Sequence, residues 1–218
     1  MKKFTSKLSF VAVMGLVFVV ALCSSCELTG DSGGGSSFDF GDNDVNTVVA
    51  MGDSITDGGC APAGASYPSR VAALSGKNVV NQGSCGEKSS GGASRVNSVL
   101  ASTNPGYLLI LYGANDALFD VDHFAVKENL RAIIQSAKNN MTLPILATLT
   151  PMYDGHAFGR GDAQAISVLI RELAGEEDVP LVDLEAEFGE DRSLIQADGL
   201  HPSDTGAQLI ALSFNDAL

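Results

Sequence analysis

From Val45 onward, short apolar runs alternate with stretches in which apolar residues recur every three or four positions. Val48-Val49-Ala50-Met51, Val79-Val80, Tyr107-Leu108-Leu109-Ile110-Leu111-Tyr112, Pro144-Ile145-Leu146-Ala147-Thr148-Leu149 and Pro180-Leu181-Val182-Asp183-Leu184 make up the runs. Apolar stretches of this length suit strands buried on both faces. Between them, Val126, Leu130, Ile133, Ile134 and Ala137 fall at helical spacing. So do Ile166, Leu169, Ile170 and Leu173, and later Leu209, Ile210, Leu212 and Phe214. Strands alternating with helices predict an α/β fold: a parallel sheet covered on both sides, in three layers, α/β/α. Ligands bind such sheets beyond the carboxyl ends of the strands. Residues that directly follow a strand therefore carry the most weight.

The chain before Val45 follows a different pattern. Lys2, Lys3 and Lys7 precede an uncharged apolar run from Leu8 to Leu22. The run is shorter than the about 20 residues a membrane span needs and suits the core of a signal peptide. Ser24-Ser25 then precedes Cys26. The segment 1–26 resembles a bacterial lipoprotein signal, in which Cys26 becomes the lipidated first residue. Ordinary secretion with cleavage near Ser25 is the alternative. Residues 27–44, rich in Gly, Ser and Asp, read as a flexible tether, which leaves 45–218 as the folded domain.

Composition narrows the function. Thirteen Lys and Arg against 26 Asp and Glu give a net charge of −13. Loss of Lys2, Lys3 and Lys7 with the signal takes it to −16. A duplex nucleic-acid partner is excluded, because phosphate contacts need basic groups. With 45% hydrophobic and 18% charged residues, the chain is too apolar to be disordered. No His, Cys or Asp group has metal-ligand spacing, so neither metal nor cofactor is expected.

Four strand ends carry candidate chemistry. The first is Gly52-Asp53-Ser54, where a serine at a tight strand exit can hold its hydroxyl above the sheet. Helix capping is the simpler role for such a serine. Asn81-Gln82-Gly83 follows the second strand, and the glycine lets a substrate approach a bare amide. Gly113-Ala114-Asn115-Asp116 follows the third, where the Asn amide can donate to an oxyanion or simply bond within its loop. Near the C-terminus, Asp198-Gly199-Leu200-His201-Pro202 places a carboxylate three residues before an imidazole. That spacing lets the carboxylate hold one ring nitrogen while the other faces a nucleophile.

Taken in order, these four blocks resemble the SGNH hydrolases, also called the GDSL esterase/lipase family. The resemblance spans roughly residues 46–218. It implies a five-stranded parallel sheet of flavodoxin-like order and metal-free esterase chemistry. It further implies Ser54 as nucleophile, His201 as general base and Asp198 as its orienting partner. The Ser54 amide, the Gly83 amide and the Asn115 side chain would form the oxyanion hole. Asp53 and Asp116 are expected to hold loops. In this topology the segment after the fourth strand borders the cleft, which makes Tyr153, Phe158 and Arg160 candidate substrate contacts.

Convergence of Ser54 and Gly83 on one oxyanion hole would bring Cys60 near Cys85, so a disulfide is expected there in an exported protein. His123 is expected on the surface at a helix start. The expected substrate is a small-molecule carboxylic ester or thioester, cleaved by a monomer of lysophospholipase, thioesterase or arylesterase type. The only membrane contact expected is a lipid anchor, at the outer membrane or the periplasmic side in a Gram-negative cell. Carbohydrate O-acetyl esterase is the alternative activity, and a catalytically inactive surface binding lipoprotein the alternative of another class.

Overall fold

The computed structural model describes residues 38–59 and 66–218. The signal segment, most of the tether and Cys60 lie outside the described residues. A compact unit spans Phe38–Leu218. It contains five parallel strands: β1 (Asp44–Gly52), β2 (Asn78–Gly83), β3 (Pro105–Leu111), β4 (Leu143–Ala147) and β5 (Leu181–Val182). Their order is β2-β1-β3-β4-β5, as the resemblance implied.

Burial follows from that order. Val48 to Met51 on β1 and Leu108 to Ile110 on β3 are fully buried, because both strands are central and covered on both faces. β2 is an edge strand, and Val79 and Val80 are only half-buried. Eight helices are described: α1 (Ser54–Asp57), α2 (Tyr67–Ser75), α3 (Ser89–Thr103), α4 (Ala114–Leu118), α5 (His123–Asn139), α6 (Arg160–Glu176), α7 (Leu184–Phe188) and α8 (Asp204–Asp216). α5 packs against both α3 and α6, and α2 packs against α8. None is long and apolar enough to cross a membrane.

Local chemistry starts and ends these helices. Asp122 caps α5 by accepting the Ala125 amide at 2.9 Å, and every periodic residue from Val126 to Ala137 is buried. On α8, Tyr67 of α2 stacks on Phe214 with ring centroids 5.3 Å apart, while Leu212 of the same helix stays exposed. α3 has the weakest sequence pattern. It opens on Ser-Ser-Gly-Gly, poor helix formers, and is held by burial of Val96, Val99 and Leu100.

The compact unit also begins earlier than the sequence pattern suggests. Phe38 packs on Phe40, and Phe40 packs on Tyr107 at 5.1 Å between centroids. The Asn43 side chain donates to the carbonyls of Asn140 and Met141 at 2.6 and 2.8 Å. Residues 38–44 thus belong to the domain rather than to a tether, because two phenylalanines have apolar surface to bury against it.

Candidate active site

β1 delivers Ser54 to the carboxyl end of the sheet. It ends at Gly52, where a Cβ would collide with Thr56 Oγ1 and the Leu111 carbonyl. Asp53 then caps α1, accepting the Ile55 amide at 2.9 Å. Ser54, 8% exposed, is the first residue of α1. Its own N–H therefore has no intrahelical acceptor.

The C-terminal loop brings the imidazole to this serine. An antiparallel bridge pairs Ile195 with Pro202, and the Gln196 amide donates to the His201 carbonyl at 2.8 Å. Gly199 turns the loop at φ 81°, where a Cβ would strike the Tyr153 carbonyl. His201 Nδ1 lies 2.6 Å from Asp198 Oδ2, and His201 Nε2 lies 2.9 Å from Ser54 Oγ. The carboxylate can only accept from Nδ1–H, so in the neutral ring the Nε2 lone pair faces the hydroxyl. Burial pushes the Asp198 carboxyl up. Bonds from His201 and from the Leu200 and His201 amides outweigh this and hold it below its ordinary value. These three residues form a continuous hydrogen-bonded chain.

The oxyanion side corrects one expectation. The Gly83 amide donates to Asn81 Oδ1 at 2.8 Å and is committed. Asn81 Nδ2 in turn bonds the carbonyls of Thr56 and Asp57 at 3.0 and 3.1 Å. A Cβ on Gly83 would collide with the Asp57 backbone, so this glycine serves close packing beneath α1. Three residues on, Gly86 adopts φ 71°, and a Cβ there would meet nothing within 4 Å. Its N–H finds no acceptor among the described residues. Asn115 Nδ2 donates to the Glu87 carbonyl at 3.1 Å, which sets the Asn115 amide beside this turn. A glycine in a Gly-Glu-Lys-Ser turn just before a helix was the available sequence signal for Gly86.

Buried bonds fix that turn. Asp116 accepts from the Ser89 amide and hydroxyl at 2.9 and 2.8 Å, and Asn129 donates to the same hydroxyl at 3.0 Å. Arg95 grips Glu87 and also reaches the Gln82 carbonyl at 2.6 Å. The Tyr112 hydroxyl donates to Glu87 Oε2 at 2.6 Å. Asp53 lies deeper, and burial pushes its carboxyl up to about 7, with Asp116 adding to the shift. Asp53 and Asp116 hold loops, as expected. Cys85 Sγ lies 3.5 Å from Asp57 Oδ1 on the flank of the turn.

The segment after β4 lies against the Asp198–His201 loop. The Tyr153 amide donates to the Gly199 carbonyl at 2.8 Å, and His156 Nδ1 donates to the Asp198 carbonyl at 2.8 Å. The Tyr153 ring sits between the Arg160 and Arg192 guanidiniums, 5.2 and 5.4 Å from its centroid. Arg160 is committed to Glu190 at 2.6 Å, while Phe158 is 71% exposed. His123 opens α5 and lies 3.1 Å from Asp162 on α6. Among the described residues, no cluster of His, Cys, Asp and Glu could hold a metal.

Known proteins resemble this chain in sequence and fold. The GDSL-like Lipase/Acylhydrolase family profile matches residues 50–209. The Escherichia coli K12 protein named thioesterase 1/protease 1/lysophospholipase L1 is 30% identical over 176 residues, covering 77% of this chain and 80% of that protein. The Bacillus subtilis protein named uncharacterized lipoprotein YqeF is 27% identical over 214 residues, covering 78% of this chain and 88% of that one. Among solved structures, the acetyl xylan esterase AlAXEase superposes with a TM-score of 0.69 at 22% identity, covering 79% of this chain and 99% of its own. With its sheet order and the family match across the whole catalytic region, the chain belongs to the GDSL-like lipase/acylhydrolase family and is an ester-bond hydrolase.

Proposed function

We propose that Ser54, His201 and Asp198 cleave carboxylic esters or thioesters through an acyl-enzyme intermediate. The observation that carries this reading is the unbroken chain from Ser54 Oγ through His201 to Asp198, at 2.9 and 2.6 Å. His201 Nε2 takes the hydroxyl proton as Ser54 Oγ attacks the substrate carbonyl, and Asp198 supports the imidazolium that forms. The oxyanion is received by the Ser54 amide, the Gly86 amide and Asn115 Nδ2. His201 then protonates the departing alcohol or thiol, and water attacks the acyl-enzyme by the same route in reverse.

The substrate class we favour is a lysophospholipid, acyl thioester or aryl ester, supported by the name of the Escherichia coli relative. Carbohydrate O-acetyl esters are the second reading, favoured by the likeness to an acetyl xylan esterase. Wild type and Ser54→Ala are compared on acyl esters of increasing chain length and on acetylated sugars. The expected result is turnover of acyl esters by the wild type only, with a loss of about 10⁶-fold in the variant. Equal turnover by both proteins removes Ser54 from the mechanism, and a preference for acetylated sugars reverses the substrate order.

We also propose export with a lipid on Cys26, in line with the lipoprotein name of the Bacillus subtilis relative. A Cys60–Cys85 disulfide beside the oxyanion turn belongs to the same proposal. Thiol titration of the denatured, unreduced domain checks it, and two free thiols refute the bridge.

A further inference from the structure

Of the three histidines, His201 carries the proposed chemistry and His123 lies against Asp162. His156 takes part in neither. It lies half-buried in a short 3-10 helix, Asp154–Gly159, that follows β4. Its own N–H closes a turn onto the Tyr153 carbonyl at 2.9 Å, but its ring leaves that turn and reaches a residue 42 positions along the chain. There Nδ1 meets the main-chain carbonyl of Asp198 at 2.8 Å. A carbonyl only accepts, so Nδ1 carries the hydrogen.

The bond falls at the freest point of the loop. Asp198 and His201 are joined through Gly199, and a glycine gives the backbone more freedom than any other residue. No side chain could stiffen that position, because its φ is 81° and a Cβ would strike the Tyr153 carbonyl. The loop's own bonds move with it, such as that from the Gly199 amide to the Gln196 carbonyl at 3.0 Å. Restraint must therefore come from outside. Peptide units are planar, so holding a carbonyl holds the whole unit. The Tyr153 amide holds the unit after Gly199 through the Gly199 carbonyl, at 2.8 Å. His156 holds the unit before it, through the Asp198 carbonyl. Both planes flanking the glycine are thus fixed from one segment. That segment is tied back to the start of the loop by Arg192, which pairs with Asp154 and donates to the Ile195 carbonyl at 2.5 Å.

Resting on the reaction proposed above, we propose that His156 is a positioning residue, whose Nδ1–H fixes the Asp198 peptide and so keeps the Asp198 carboxylate in line with His201 Nδ1. The tautomer of His201 depends on that alignment, and with it the lone pair that takes the Ser54 proton. Loss of the bond slows the chemical step and leaves substrate binding unchanged.

The full chain is tested on a soluble 4-nitrophenyl acyl ester as wild type, His156→Leu, His156→Asn and His156→Gln, with Ser54→Ala as the blank. The amide nitrogen of Asn stands where Nδ1 stands, whereas that of Gln lies one bond further out, near the place of Nε2. His156→Leu and His156→Gln are expected to lower kcat about tenfold with KM unchanged, as loss of one hydrogen bond to the orienting group implies. His156→Asn is expected to recover most of that loss. A merely structural role would not separate the two amides in kcat alone. Their comparison decides the matter even where His156→Leu does not fold. Equal kcat for the Asn and Gln variants, or losses carried by KM, overturn the positioning role while an inactive Ser54→Ala leaves the reaction standing. Turnover by Ser54→Ala at the wild-type rate, or none by the wild type, overturns the reaction and the role with it.

Discussion

Polar groups around Asn115 are buried and bonded to one another, whereas those around Tyr153 meet as ion pairs at the surface. Asp116, Ser89 and Asn129 form one closed set and Glu87, Arg95 and Tyr112 another, with Asp116, Ser89 and Tyr112 fully buried. Arg160 and Arg192 instead pair with Glu190 and Asp154, whose side chains are 77% and 57% exposed. In the first region, around Asp116 and Ser89, the bonds lie in a medium of low dielectric, and breaking one strands a buried partner. In the second, water and salt can replace whatever is lost. The molecule is thus held by buried bonds around the proposed oxyanion site and by replaceable ones around Tyr153.

Three variants test that contrast, in falling order of effect. Asn115→Ala removes a proposed oxyanion donor and should lower kcat by about 10²–10³-fold, with KM little changed. Steady-state kinetics on an acyl ester checks this, and a loss carried by KM alone would move Asn115 from transition-state stabilisation to ground-state binding.

Asp53→Asn acts on stability. Between its ordinary value of 3.8 and about 7, folded Asp53 keeps a proton that the unfolded chain releases. Wild-type stability therefore falls as pH rises through that window. Asparagine keeps an acceptor for the Ile55 amide without the charge. The variant's gain in Tm over wild type should grow from pH 4 to about pH 7 and then stay constant. Parallel Tm curves would mean that Asp53 ionises as an ordinary carboxylate.

Arg160→Ala removes an exposed ion pair and a contact with the Tyr153 ring and should cost about 1 kcal/mol. Chemical denaturation measures it. A cost of several kcal/mol would show that the rim is as rigid as the oxyanion side.

Much of the fold and of the candidate site is legible in the sequence. β3, β4 and the Val48–Met51 part of β1 are apolar without interruption because both their faces are buried. Asp198 and His201 lie three residues apart on one loop, so their bond is nearly local. The edge strand β2 is legible in place but not in burial, since the strand order decides which valines lie at the margin. α3 is invisible, because burial of Val96, Val99 and Leu100 overrides a poor helical composition. The proposed oxyanion glycine, Gly86, lies three residues beyond the one the sequence reading names. Gly83 and Gly86 both follow β2, and only the long-range contact between Asn81 and α1 shows which amide is already used.

Local order and chemistry are therefore written along the chain: which runs become strands, which strand ends carry Ser54 and Asn115, which late loop carries His201, and how acidic the protein is. Periodicity and residue type express these, and both are local properties. Pairings across long separations are decided only on folding. His201 reaches Ser54 across 147 positions, Tyr112 reaches Glu87 across 25, and Lys88 is left without a carboxylate while every described arginine finds one. Such outcomes depend on which groups the sheet order brings together and which bonds are satisfied first, and one-dimensional spacing encodes neither.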